Sequence, residues 1–117
     1  MILALVDDLM FTSKIRAAAG GNGLSVLFAR SKETALAEMR KEAPTLVVLD
    51  LNNPRTDPIG TVEAMKADPK LAGIPTVGFV SHVQTDLIET ARRAGVAEVL
   101  ARSAFSAHLP EILARGK

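Results

Sequence analysis

The chain has 117 residues, 48% of them hydrophobic, with 14 basic and 13 acidic side chains and a formal net charge of +1. This is one domain's worth of chain with enough apolar content for one core, which excludes a disordered chain, and zero cysteines exclude a disulfide framework or a thiolate metal site. The near-zero charge gives no electrostatic case for nucleic acid or an anionic membrane as the main partner. Four phenylalanines are the only aromatic residues, so the core is expected to be aliphatic. Apolar runs of about six residues fall far short of the ~18 that span a bilayer. The first residues lack a basic leader and run into Asp7-Asp8, so they do not read as a secretory signal. These features predict a single small cytoplasmic domain over residues 1–117 with no output module attached.

Residues 1–6 (MILALV) are apolar without interruption and read as a strand buried on both faces. Residues 9–19 place Phe11, Ile15, Ala18 and Ala19 on one helical face, and Gly20-Gly21-Asn22-Gly23 supplies a turn and C-cap. Residues 24–29 (LSVLFA) form a second strand. Ser31 caps a helix whose inward face is Ala35, Leu36, Met39 and Ala43, and Pro44 ends it. Residues 45–51 (TLVVLDL) give the strongest strand signal. A turn-rich loop over 52–58 leads into a helix over 59–67 with Val62 and Met65 inward. Residues 74–80 (IPTVGFV) are a fourth strand, with Pro75 at its start, where a missing donor matters least. A helix over 84–94 turns Leu87, Ile88 and Ala91 inward and Arg92-Arg93 outward, and Gly95 caps it. Residues 98–101 are a weak fifth strand. A last helix, with Leu109, Ile112 and Leu113 inward, is expected to start at Ser106, so that Pro110 falls in its first turn. Met10, Met39 and Met65 read as core filler.

Five strands alternating with five amphipathic helices imply a doubly wound α/β fold around a parallel sheet. Ligands of such folds gather beyond the carboxyl ends of the strands. Those ends carry Asp7 and Asp8 after the first strand, Asp50 on the third, Ser81 after the fourth and Arg102 after the fifth. Three converging carboxylates repel one another unless a cation neutralises them. Oxygen donors without His or Cys suit Mg²⁺, and a hydroxyl with a cationic side chain opposite completes a cradle for a phosphoryl group.

These residues and their spacing resemble the receiver domain of bacterial response regulators over essentially the whole chain. Asp50 follows Asp8 by 42 residues, Ser81 follows Asp50 by 31, and Arg102 follows Ser81 by 21. The segments Leu5-Val6-Asp7-Asp8, Pro44 to Leu51, Asn53-Pro54, Ile74-Pro75 and Ala94-Gly95-Val96 occur in the family's order. The resemblance implies a flavodoxin-like (βα)5 three-layer sandwich with strand order 2-1-3-4-5. It implies a two-component phosphorelay function, in which Asp50 accepts a phosphoryl group from a histidine kinase or phosphotransfer protein. Mg²⁺ would be held by Asp8 directly, by Asp7 largely through water, by Asp50 and by the backbone carbonyl of Asn52. Ser81 would hydrogen-bond the phosphoryl oxygen and draw its loop inward. That movement would remodel the face of the fourth helix, fifth strand and fifth helix, where a downstream partner or a second copy docks. The chain would act as a switch, with self-phosphorylation and autodephosphorylation its only chemistry, and not as a metabolic enzyme.

Several positions depart from the family. Arg102 stands where the family has Lys, unless Ser103-Ala104 leaves no true equivalent, and Arg is longer, planar and forked. Val99 falls on the aromatic switch position, His82 follows Ser81 where a small residue is usual, and the loop before Gly60 is lengthened. An alternative is therefore a phosphorylation-independent pseudoreceiver that works as a protein-interaction module. A phosphatase or hydrolase lacks a second acid placed as general acid. Asp50 alone could be a turn residue, Asp8 a helix cap, Ser81 an N-cap and Arg102 a surface ion pair. His82 and His108 have no partner at ligand spacing, and the glycine run follows a helix, which makes it a turn and not a dinucleotide loop.

Overall fold

The computed structural model describes residues 1–81 and 84–117. Strands β1 (Ile2–Leu5), β3 (Leu46–Asp50) and β4 (Thr76–Val80) are buried along their whole length. Apart from Asp50 at the end of β3 and Thr76 at the start of β4, their sequences are apolar because helices cover both faces of the sheet. Strands β2 (Val26–Ala29) and β5 (Glu98–Ala101) form the half-buried edges. All pairings are parallel, in the order β2-β1-β3-β4-β5, which is the fold expected from the sequence.

The alternation of side chains along each strand divides the core. One layer joins Leu3, Leu5, Val47, Leu49 and Val80 to Leu36 and Met39 of α2 (Lys32–Lys41), Val62 and Met65 of α3 (Pro58–Ala67) and Ala91 of α4 (Thr85–Ala94). The other joins Ile2, Ala4, Val48, Val77 and Phe79 to Phe11 and Ile15 of α1 (Leu9–Gly21). It also takes in Phe105 of α5 (Arg102–Ala107) and Leu109, Ile112 and Leu113 of α6 (Leu109–Ala114).

The helix starts follow their caps. Ser31 accepts from Thr34 N at 3.1 Å, and Asp57, in a left-handed conformation at φ 51°, accepts from Gly60 N at 3.1 Å. Gly95 ends α4 at φ 116°, a conformation that disfavours any side chain.

Four expectations about the elements and their buried faces are corrected. Ala43 is not inward: it lies beyond the end of α2 and is exposed. α1 runs through Gly20 and Gly21, so Asn22 and not the glycine pair ends it. The chain after β5 does not wait for Ser106: α5 starts at Arg102, breaks at His108 and restarts as α6, giving six helices among the described residues. Pro110 has no amide to donate back into the preceding turn, so the ladder is interrupted there and resumes with Pro110 in the first turn. Met10 is not core filler but 66% exposed, because Phe11 and Ile15 define the buried face of α1.

Candidate functional site

The strand register determines which residues meet. Leu5 pairs with Leu49, Asp50 with Phe79 and Val80 with Ala101. Asp7 and Asp8, Asp50, Ser81 and Arg102 thus follow neighbouring positions at the carboxyl edge of the sheet.

Asp50 is 6% exposed, and its Oδ1 accepts from the backbone N–H of Asn52 at 3.1 Å. Burial raises its pKa above the usual carboxylate value, with Asp8 and Asp7 adding to the rise; the Asn52 amide and the Arg102 charge oppose it. Asp8 is shifted the other way. Its Oδ1 caps α1, accepting from Met10 N at 2.8 Å and Phe11 N at 3.2 Å, and its Oδ2 accepts from Arg102 Nη2 at 2.9 Å. The Arg102 hydrogen bond is the main cause of the lowered pKa, followed by the Phe11 amide. Asp7 accepts a hydrogen bond from Asn53 Nδ2, while Asn53 Oδ1 caps the 3-10 turn at Pro54–Thr56 through Arg55 N.

The three carboxylates, with Asn53, Arg55, Leu9 and Met10, line a cavity of about 480 Å³. Asn52 turns its side chain to the neighbouring loop. Its Nδ2 donates to Gln84 Oε1 at 2.6 Å and its Oδ1 accepts from Ser81 N at 2.5 Å. This clasp ties the loop after β3 to the loop after β4. Ser81 does not cap α4, since Gln84 occupies that position without a side-chain bond. The expectation for His82 lies outside the described residues. Arg102 opens α5 and forms a partly exposed ion pair with Asp8 at the edge of the cavity.

The donor set fits a hard divalent cation: three carboxylates share one cavity and carry no thiolate or imidazole. Their arrangement is not yet that of a chelate. Among the described residues no three acidic or histidine side chains are gathered closely enough to hold an ion, and both oxygens of Asp8 already have partners. Sequence reading missed Asn53 as the partner of Asp7, Gln84 as the partner of Asn52, and Phe11 as the surface beneath Arg102. The only signal for Phe11 was its place one turn after Asp8.

The chain is 30% identical over 96 residues to the transcriptional activator protein ExaE of Pseudomonas putida, covering 82% of this chain and 44% of that protein. It therefore spans less than half the length of this curated relative. The structure of the phosphorylated cyanobacterial phytochrome response regulator RcpA aligns with a TM-score of 0.79 at 26% identity, over 96% of this chain and 86% of that one. The chain has the receiver-domain fold of response regulators. No family model matches the chain. The receiver fold recurs in the Mn²⁺-bound form of the response regulator Rcp1, with a TM-score of 0.81 at 19% identity over 95% of this chain and 89% of that one. It recurs again in the chemotaxis protein CheY4 of Vibrio cholerae, with a TM-score of 0.84 at 18% identity over 99% and 97%. Among the described residues, no helix is long and apolar enough to cross a membrane.

Proposed function

We propose that this receiver accepts a phosphoryl group on Asp50 from the phosphohistidine of a histidine kinase or phosphotransfer protein. The phosphorylated form then signals through protein contacts in the cytoplasm. The observation that carries this reading is the buried carboxylate of Asp50 at the end of the central strand, facing a cavity it shares with Asp7 and Asp8. The phosphorylated state of RcpA and the Mn²⁺-bound state of Rcp1 support it as properties of similar proteins.

In the transfer, an Asp50 carboxylate oxygen attacks phosphorus; the new O–P bond forms as the donor N–P bond breaks, and the electron pair leaves on the imidazole nitrogen. Asp7, Asp8, Asp50 and the backbone carbonyl of Asn52 would hold Mg²⁺, which when bound neutralises the carboxylates and the incoming phosphoryl oxygens. Ser81 and Arg102 supply the hydroxyl and the cation for those oxygens. The Asn52 clasp to Ser81 and Gln84 gives the loop before α4 a contact that a phosphoryl group would replace. The output would then be carried by the face of α4, β5 and α5, to a partner protein or a second copy. The chain is a switch, with no turnover of a metabolite.

One observation favours a second reading. The pairing of Asp8 with Arg102, together with Val99 at the relay position, suits a pseudoreceiver that binds partners without phosphorylation. Intact-mass measurement after incubation with a small acyl phosphate and Mg²⁺ separates the two. The expected result is one added phosphoryl group that Asp50→Asn abolishes; an unlabelled wild type, under conditions that label ordinary receivers, replaces the switch with the pseudoreceiver.

A further inference from the structure

Arg102 is held from two sides. Its Nη2 donates to Asp8 Oδ2 at 2.9 Å, and its guanidinium carbon lies 4.1 Å from the ring centre of Phe11 and 6.0 Å from that of Phe79. The rings beneath are fixed in turn: Phe11 stacks on Phe79 at 4.8 Å, and Phe79 on Phe105 at 4.6 Å. All three are buried. A planar guanidinium can lie on an aromatic face while its fork reaches a carboxylate, whereas a lysine ammonium is a single charged point on a flexible stem.

We propose that Arg102 is the pocket's resident cation, competing with a divalent metal ion for Asp8 Oδ2 and leaving that oxygen when the ion binds. This rests on the reading of Asp7, Asp8 and Asp50 as a divalent-cation site. Asp8 Oδ1 is committed to the amides of Met10 and Phe11, so Oδ2 is the oxygen for which ion and guanidinium compete. Ion binding and release of Arg102 then favour each other by the same factor. The released guanidinium lies within the same sheet edge as Asp50, where it can face phosphoryl oxygens. Phe11 acts as a positioning residue: it favours the paired position and touches neither ion nor phosphoryl group.

The test is a Mg²⁺ titration followed by amide NMR on the wild type, Arg102→Ala, Phe11→Leu and Arg55→Ala. Losing one partly exposed ion pair and one cation–π contact should tighten Mg²⁺ binding roughly tenfold in Arg102→Ala and roughly two- to threefold in Phe11→Leu. Arg55 is exposed and lines the same cavity, so Arg55→Ala removes equal charge without touching Asp8 and should do less than Arg102→Ala. A second readout uses the wild type alone. The Arg102 side-chain protons, shielded over the Phe11 ring, should move downfield as Mg²⁺ saturates. Equal gains from Arg55→Ala and Arg102→Ala would reduce the effect to net charge and overturn the proposal, as would Arg102 resonances unmoved at saturation. Wild type that binds Mg²⁺ beside an Arg102→Ala variant that binds no tighter would sink the competition and leave the cation site standing. No binding by any of the four chains would remove the cation site itself, and the competition with it.

Discussion

The two layers that cover the sheet are built from different materials. The layer under α1, α5 and α6 holds all four phenylalanines, three of them buried and packed ring on ring in one cluster. The layer under α2, α3 and α4 has none and is filled by Leu, Val, Ala, Ile and Met. Aromatic rings are rigid and present a negative face, so the first layer can hold a cation in place, and Arg102 lies on it. Aliphatic side chains offer no such face. On their side, the position the family resemblance assigns to an aromatic relay is Val99, partly buried against that layer. On the proposed function, the asymmetry divides the labour: one layer holds the site's cation, and the other carries loops and helices that would shift without a ring having to turn.

The largest effect is expected on removing the ring that stacks on both of the others. Phe79 stacks on both Phe11 and Phe105 and is 1% exposed, so Phe79→Ala should lower unfolding free energy by about 3–5 kcal/mol. Its neighbour Val80 points into the aliphatic layer and is equally buried; Val80→Ala removes two methyl groups and should lose about 2 kcal/mol. Urea denaturation of both variants is the measurement. Equal losses would make the aromatic cluster a matter of composition alone, with no stiffness of its own.

How much of this was legible in the sequence follows from the range of each interaction. Residues 1–6 and 45–51 were readable as strands because burial on both faces leaves a continuous apolar run. With parallel order inferred, Asp7, Asp8, Asp50, Ser81 and Arg102 had to meet at one edge. The α5–α6 break was not readable in that way. Pro110 signals an interruption but not on which side the helix restarts, and the structure places helix on both sides of His108. The orientation of Asp8 was also hidden. Its cap to Met10 and Phe11 is local and was foreseen, but its partner Arg102 is 94 positions away. Met10 was misjudged because it precedes Phe11 by one residue, about 100° around the helix, which turns it to solvent.

A smaller effect is expected where the two layers meet, at the carboxyl end of β3. Burial raises the pKa of Asp50 in the folded chain above its unfolded value. The ionised form therefore opposes folding. Whatever stability the protonated group contributes is fully present below the unfolded pKa and lost as pH rises through the folded one. Asp50→Asn removes that charge and should stabilise the fold by on the order of 1 kcal/mol at pH 7. The gain should shrink as pH falls and disappear once Asp50 is protonated in both states. Asp8, with its pKa lowered chiefly by Arg102, has the opposite sign: its contribution is present above the unfolded pKa and lost as pH falls through the folded value. Thermal unfolding of wild type and Asp50→Asn between pH 4 and 7 reads the difference, and a variant no more stable at pH 7 than the wild type would show that the pocket compensates the buried charge by itself.

The smallest effect concerns Val99, on the edge strand of the aliphatic side. Its neighbours there are half-buried and β5 has one strand partner instead of two, so Val99→Ala should lower stability by about 0.5–1 kcal/mol. If the aliphatic layer shifts through its loops, the same variant should take up a phosphoryl group at Asp50 as fast as the wild type. Intact mass over time measures uptake, and urea denaturation measures stability. A Val99→Ala chain that keeps its stability but loses phosphoryl uptake would place the relay on this side chain after all. The layer that holds the cation would then not be the only one with a fixed part in the switch, because a side chain with no ring would carry the signal in place of the loops.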